Sequence, residues 1–265
     1  MGCLLRFRTL GPMRTPSPTA PQRLDSIDAL RGFAMLWMTA FHFCFDLNHF
    51  GYIQQSFLTD PFWTWQRTCI LSLFLFTAGL GQAIAVHQGQ SWLRFWRRWV
   101  LVLGAALLVS AGSYWMYPQT FIYFGVLHGM ALMLVLTRLT VGWGRWLWWL
   151  GGLAVAIGLV ANYLISTRGN PGFEQLLNAR SLNWLGLITQ KPVTEDYVPL
   201  IPWLGLMWWG MAAGQWLLKQ HPGWLAAATA KTNLVIAALA LLGRWSLSYY
   251  LVHQPVMIGA LMVLA

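Results

Sequence analysis

Apolar stretches of about 20 residues recur along this chain, which is the length that a helix needs to cross the core of a bilayer. A shorter apolar stretch, Asn233–Leu242, has only half of that length and predicts a re-entrant or interfacial segment. We therefore predict an all-α fold, a polytopic transmembrane helix bundle with about seven spans and this one short segment. The predicted spans are Ile27–Phe45, Thr68–Val86, Arg98–Met116, Phe121–Leu139, Trp146–Ile165, Val198–Leu218 and Ser246–Leu264.

The composition excludes a soluble domain. Only 9% of the 265 residues are charged and 57% are hydrophobic, whereas a soluble domain has about 25% charged residues. The net charge of +10 could indicate a nucleic-acid partner. The basic residues lie between the apolar spans, however, and not on one continuous face, so we predict no nucleic-acid binding and expect them to orient the chain in the membrane.

The distribution of Lys and Arg predicts a cytoplasmic N-terminus. With that orientation, thirteen of the 17 basic residues lie on the inner side, and only Arg67, Arg168, Arg180 and Lys191 lie outside. Residues 1–26 contain four arginines and four prolines but no secretory signal. We predict two parts, a flexible cytoplasmic tail over 1–26 and one transmembrane domain over 27–265.

Ionisable residues within membrane spans are costly and therefore mark candidate sites. In the first span, Asp28 and Arg31 are three residues apart and can form an ion pair at the inner helix end. At its outer end, His42, Asp46 and His49 follow the spacing i, i+4, i+7, which places them on one helix face. This stripe can orient a general base, bind a metal or cap the helix, and the spacing leaves the three interpretations open.

Two further histidines and one arginine pair complete the set. His128 and His253, the latter followed by Gln254, lie inside other spans and indicate a polar cavity or pathway. Arg94 and Arg98 are one turn apart among tryptophans at the inner face. Such a pair suits a cytosolic ligand with phosphates and a planar base, and it equally suits a positively charged membrane anchor.

Several motifs resemble the transmembrane acyltransferases, which join the acyltransferase-3 family with the heparan-alpha-glucosaminide N-acetyltransferase catalytic-domain family. The first helix carries the resemblance in Ile27–Ala34 and in Phe41-His42. The remaining motifs favour the second family and its bacterial members. They are Phe43–Gly51, Phe74–Gly81, Phe124–His128, Asp196–Gly205 and Leu242–Leu247 leading to His253-Gln254-Pro255.

The resemblance implies a transmembrane O- or N-acyltransferase. Acetyl-CoA would bind from the cytosol, and its acetyl group would pass to a hydroxyl or amine of a saccharide-like acceptor on the outer side. His42 and His49 are both candidates for the catalytic base, with Asp46 in support, and we assign no metal ligands. The donor site would comprise Arg94, Arg98 and Arg31. The substrate path would include Asp28, Asn48, His128, His253 and Gln254.

The same resemblance implies a multi-pass protein of the bacterial inner (plasma) membrane that modifies glycans. Its partners would be membrane lipids, acyl-CoA and the acceptor, and a homodimer is left open. Asn48 or His128 could donate to the developing oxyanion, and Gly125 and Gly129 could let a pantetheine arm approach the fourth span. The alternative is an ion-coupled small-molecule transporter that uses the buried histidines as its pathway.

Overall fold

The computed structural model describes residues 24–221 and 233–264. Most of the predicted cytoplasmic tail, residues 1–23, lies outside this part of the chain, and α1 begins at Asp25. The described residues form nine α-helices joined by short loops. They are α1 (Asp25–His49), α2 (Pro61–His87), α3 (Trp92–Met116), α4 (Val126–Leu139), α5 (Trp146–Arg168), α6 (Pro171–Asn178), α7 (Trp203–Gln220), α8 (Leu234–Arg244) and α9 (Ser246–Leu264).

Four of these described helices, α2, α3, α5 and α9, are long and apolar enough to cross a membrane. The chain is therefore an all-helical, multi-pass membrane protein. Helix α1 has 25 residues, but polar side chains such as Asp46 and His49 lower its mean hydropathy. The count of seven spans and the cytoplasmic N-terminus stay predictions.

Two of the predicted spans begin too early. Instead of Phe121–Leu139, helix α4 covers only 14 residues from Val126, and α7 begins at Trp203 rather than at Val198. In the segments that precede these helices, Phe124 and Tyr197 form a parallel bridge, and a turn at 201–202 leads into α7. These segments satisfy their backbone groups against each other and against side chains of α3, so they need no helical hydrogen bonds.

Helices α2, α4 and α7 form the centre of the bundle. Their apolar side chains make one buried cluster, which includes Leu75, Met133 and Met207, all three without measurable exposure. By contrast, Leu101 and Leu108 of α3 and Leu159 of α5 are more than 60% exposed. Large apolar side chains therefore point away from the protein, which fits helices that face lipid.

The short helix α8 packs against α1 at very close range. A Cβ added at Gly243 would lie 1.8 Å from the carbonyl oxygen of Asp28, and one added at Gly32 would lie 1.9 Å from that of Leu239. At the same end, Arg244 Nη2 lies 2.6 Å from Asp25 Oδ1. The segment that the sequence predicted as re-entrant or interfacial is thus a helix fixed along the first half of α1.

Candidate active site

The second half of α1 is joined to α9 by three side-chain hydrogen bonds on successive turns. Positions 39, 42 and 46 of α1 follow the spacing i, i+3, i+7, so they lie on one face of the helix. That face contacts the first half of α9, and three polar pairs form between helices that are more than 200 residues apart in sequence. The pairs are Thr39–Tyr249 at 2.8 Å, His42–His253 at 3.0 Å and Asp46–Gln254 at 2.7 Å.

The hydrogen-bond partners assign the proton positions of the two histidines. His253 Nδ1 lies 2.8 Å from the carbonyl oxygen of Tyr250, and because a carbonyl only accepts, Nδ1 carries the proton. In the neutral ring, Nε2 of His253 then accepts from Nδ1–H of His42. His42 consequently keeps its lone pair on Nε2. The rings are nearly parallel, with centroids 5.2 Å apart.

Asp46 is buried, with 3% of its surface exposed. Its Oδ1 accepts a hydrogen bond from Gln254 Nε2, whereas Asp46 Oδ2 and Gln254 Oε1 have no partner among the described residues. The carboxylate therefore contacts the residue next to His253 rather than the His42 ring itself. It connects α1 to α9 next to the histidine pair, and its predicted support of a catalytic base stays a prediction.

The His42–Asp46–His49 stripe does not act as one unit. His49 lies exposed at the end of α1, and Asn48 uses its side-chain oxygen to accept from the backbone N–H of Gln55 at 2.6 Å. Asn48 also lines an open cavity of about 410 Å³ in the loop after α1. No group of three His, Cys, Asp or Glu side chains within the described ranges could hold a metal ion.

His128 lies on α4 beside α3, apart from the α1–α9 contact. Ser110 donates its hydroxyl proton to the carbonyl oxygen of Ile122 at 2.6 Å, so at the 3.1 Å contact with His128 the imidazole Nε2–H donates to Ser110. Nδ1 of His128 is buried without a partner in the described structure. Neutral His128 therefore has no N–H left for an oxyanion, in contrast to the role that the sequence suggests.

The space beside the two glycines at the start of α4 is also filled by other groups than the predicted ones. A Cβ at Gly125 would lie 2.2 Å from Asp196 Oδ2, and one at Gly129 would lie 2.6 Å from the Val198 carbonyl oxygen. The loop between α6 and α7, not a pantetheine arm, thus fills the space beside them. Asp196 Oδ2 accepts from the Val126 N–H at 2.7 Å and caps α4. Burial raises the pKa of the Asp196 carboxyl above its usual range.

The opposite end of the bundle is rich in arginine. Arg31 Nη1 lies 3.1 Å from Asp28 Oδ1, so the predicted ion pair forms. The same guanidinium lies against Gly81 of α2, where an added Cβ would be 3.0 Å from Nη2. Arg98 of α3 is close enough to repel Arg31 electrostatically, and Arg94 donates to the carbonyl oxygen of Gly89 at 2.9 Å.

Three residues of these two regions were not predicted from the sequence. Thr39 shares the face of His42 and Asp46, and its i, i+3 spacing from His42 could have revealed it. Tyr249, its partner, had no such signal because only packing brings it there. Arg138 is buried at the end of α4. The only sequence signal for it was a charged residue at the end of an apolar run.

Residues 23–255 match the family model described as heparan-alpha-glucosaminide N-acetyltransferase, catalytic. The match covers both the α1–α9 contact and the arginine-rich end. No curated protein matches the chain, and no solved structure matches it.

Proposed function

The chain belongs to the heparan-alpha-glucosaminide N-acetyltransferase catalytic family, a family of membrane acetyltransferases, and from this we propose that His42 is the base of an acetyl transfer from acetyl-CoA. The observation that supports the proposal is the His42–His253 contact of 3.0 Å. It leaves the lone pair of His42 on Nε2, which is what a general base needs. Exposed His49 has no comparable partner in the described part of the chain.

In the proposed reaction, His42 Nε2 takes the proton of an acceptor hydroxyl or amine while the acceptor atom attacks the thioester carbonyl. The new bond joins the acceptor oxygen or nitrogen to the acetyl carbon, and the carbon–sulfur bond breaks. The leaving thiolate of CoA then takes the proton from the His42 imidazolium. His253 acts as a positioning residue, because its Nε2 accepts the hydrogen bond from His42 Nδ1–H throughout and stabilises the imidazolium that forms.

The arginine-rich end is where we place the phosphates of the donor. Arg31, Arg94 and Arg98 gather there, whereas the acidic residues at that end, Asp25 and Asp28, already have arginine partners. Guanidinium groups suit phosphates because they donate two parallel hydrogen bonds. His42 follows Arg31 by eleven positions along α1, so the pantetheine arm would span roughly 16 Å along the helix.

The acceptor would approach from the other end. We propose a saccharide hydroxyl or amine there, at the outer face of a bacterial inner membrane, close to the open cavity lined by Asn48, Gln54 and Gln55. Amide side chains such as these can donate to and accept from sugar hydroxyls. No observation on the described residues favours the ion-coupled transporter.

Proteoliposomes test the proposed function directly. The purified full chain is reconstituted with an amino sugar trapped inside the vesicles, and radiolabelled acetyl-CoA is added outside. Because reconstitution inserts the protein in both directions, the expected result is labelled acetyl-sugar inside the vesicles and none in protein-free vesicles. If acetyl-CoA neither binds nor donates its acetyl group to any of a panel of amino sugars and sugar alcohols, the proposal is wrong.

A further inference from the structure

Arg138 stands in the last turn of α4 with an unusual set of neighbours. Only 6% of its surface is exposed. Its Nη2 donates to the carbonyl oxygen of Gln90 at 2.6 Å, and its guanidinium lies over the rings of Trp92 and Phe95 at 5.2 and 5.8 Å from their centroids. Its Nη1 is buried and has no hydrogen-bond partner in the described structure.

This buried cation also has no anionic partner. The ion pairs among the described residues all involve Asp25 or Asp28 at the start of α1, and none reaches Arg138. A buried charge is costly unless it is both paired and hydrogen-bonded. A water molecule could satisfy Nη1–H, but it would leave the charge uncompensated. An anion would both accept the hydrogen bond from Nη1 and compensate the charge.

A second arginine approaches the same loop. Arg94 donates to the carbonyl oxygen of Gly89, and Arg138 donates to the next carbonyl along the chain, that of Gln90. Two adjacent carbonyl groups of the loop between α2 and α3 thus accept hydrogen bonds from two different guanidiniums. An anion bound at this loop would have both guanidiniums as candidate donors.

Two other residues near the end of α4, Thr137 and Gln82, each have one buried polar atom without a partner in the described structure. Thr137 precedes Arg138 and has no exposed surface, and its hydroxyl has no hydrogen bond among the described residues. Gln82 of α2 donates to the carbonyl oxygen of Leu134, one turn before Arg138. Nη1 of Arg138 and the hydroxyl of Thr137 are thus two buried donors for which the described residues supply no acceptor.

We propose that Arg138, together with Arg94, binds a phosphate group of the acyl donor at the loop between α2 and α3. The inference rests on the proposed function, because it takes acetyl-CoA as the source of the phosphate. Trp92 and Phe95 hold the guanidinium plane in place, and the fork of Arg138 supplies the paired donors that phosphate oxygens accept. Arg138 is then a donor-binding residue distant from the reacting atoms.

The test compares a donor that has phosphates with one that has none. Dissociation constants of acetyl-CoA and S-acetylpantetheine are measured by calorimetry on the full chain in phosphatidylcholine nanodiscs. The wild type should prefer acetyl-CoA, and Arg138→Met should reduce that preference by about 30-fold, as expected when one partner of a buried charge pair is removed. Affinity for S-acetylpantetheine should not change. Arg138→Lys, which keeps the charge but not the fork, should show an intermediate loss.

Arg145→Met is the matched control, because it removes an exposed arginine from the loop that follows α4. It should leave the preference unchanged. If Arg138→Met and Arg138→Lys both fold and keep the wild-type preference, Arg138 only holds the loop and the inference is wrong. It is also wrong if the substitutions weaken only the binding of phosphatidylglycerol added to the nanodiscs. If the wild type binds neither donor, the proposed function itself fails.

Discussion

At the scale of single residues, the chemistry depends on which ring nitrogen of His42 is free to accept a proton. The carbonyl oxygen of Tyr250 sets the tautomer of His253, and His253 sets that of His42. A chain of two hydrogen bonds therefore connects the backbone of α9 to the proposed base. Changes at His253 should affect the catalytic step without affecting the distant binding of the donor phosphates.

His253→Leu should lower kcat by about 100-fold, since it removes the acceptor that positions His42, an effect within the usual range for acid–base catalysis. His253→Gln can place an oxygen near the position of Nε2 and should recover part of the loss. The KM for acetyl-CoA should stay close to the wild-type value in both variants. Steady-state kinetics in nanodiscs measure the two constants, and a change in KM alone would assign His253 to donor binding instead.

At the scale of whole elements, the fixed contact between α1 and α8 depends on two glycines. Gly243→Ala would place a methyl group 1.8 Å from the backbone of Asp28, so the helices must separate. We expect a loss of about 3 kcal/mol in the free energy of unfolding, measured by SDS titration. Gly104→Ala, on α3 with nothing within 4 Å of the added Cβ, is the control and should be neutral. Equal effects of the two substitutions would contradict the packing described here.

The bounds of the elements show what hydropathy can and cannot predict. The last helix was predicted residue for residue as Ser246–Leu264, although His253, Gln254 and Pro255 interrupt its apolar sequence. Residues 121–125 are as apolar as a helix, but Ser110 and Ser113 bind the backbone of Ile122 and hold it extended. Side-chain hydropathy does not reveal where backbone groups find their partners.

The site shows the same limit. His42 and Asp46 were predicted because their spacing along one helix is visible in the sequence. That α9 supplies the partner of each, and that His49 is left exposed, follows only from the packing of helices 211 residues apart at the histidine pair. Arg138 was not predicted as a site residue, since one basic residue at a helix end is ordinary for a membrane protein.

At the scale of the whole molecule, the proposed transfer across the membrane requires the arginine-rich end and the α1–α9 contact to face opposite sides. The positive-inside distribution predicts that the arginine-rich end is cytoplasmic. In a cysteine-free variant of the chain, Gly142→Cys lies beside that end and Ser181→Cys lies in the opposite loop, both at exposed positions. A membrane-impermeant maleimide should label Ser181→Cys in intact cells and Gly142→Cys only after permeabilisation. The reverse pattern would invert the proposed direction of transfer.

The most direct test of the central claim is the rate of acetyl transfer from acetyl-CoA by His42→Gln beside His49→Gln, measured in nanodiscs with the dissociation constant of acetyl-CoA. His42→Gln should lower kcat by about 1,000-fold with donor affinity unchanged, as expected on losing a general base. His49→Gln should stay near the wild-type rate, because His49 is exposed at the end of α1. If His49→Gln is inactive and His42→Gln retains its rate, His49 is the base and the role proposed for His42 is wrong.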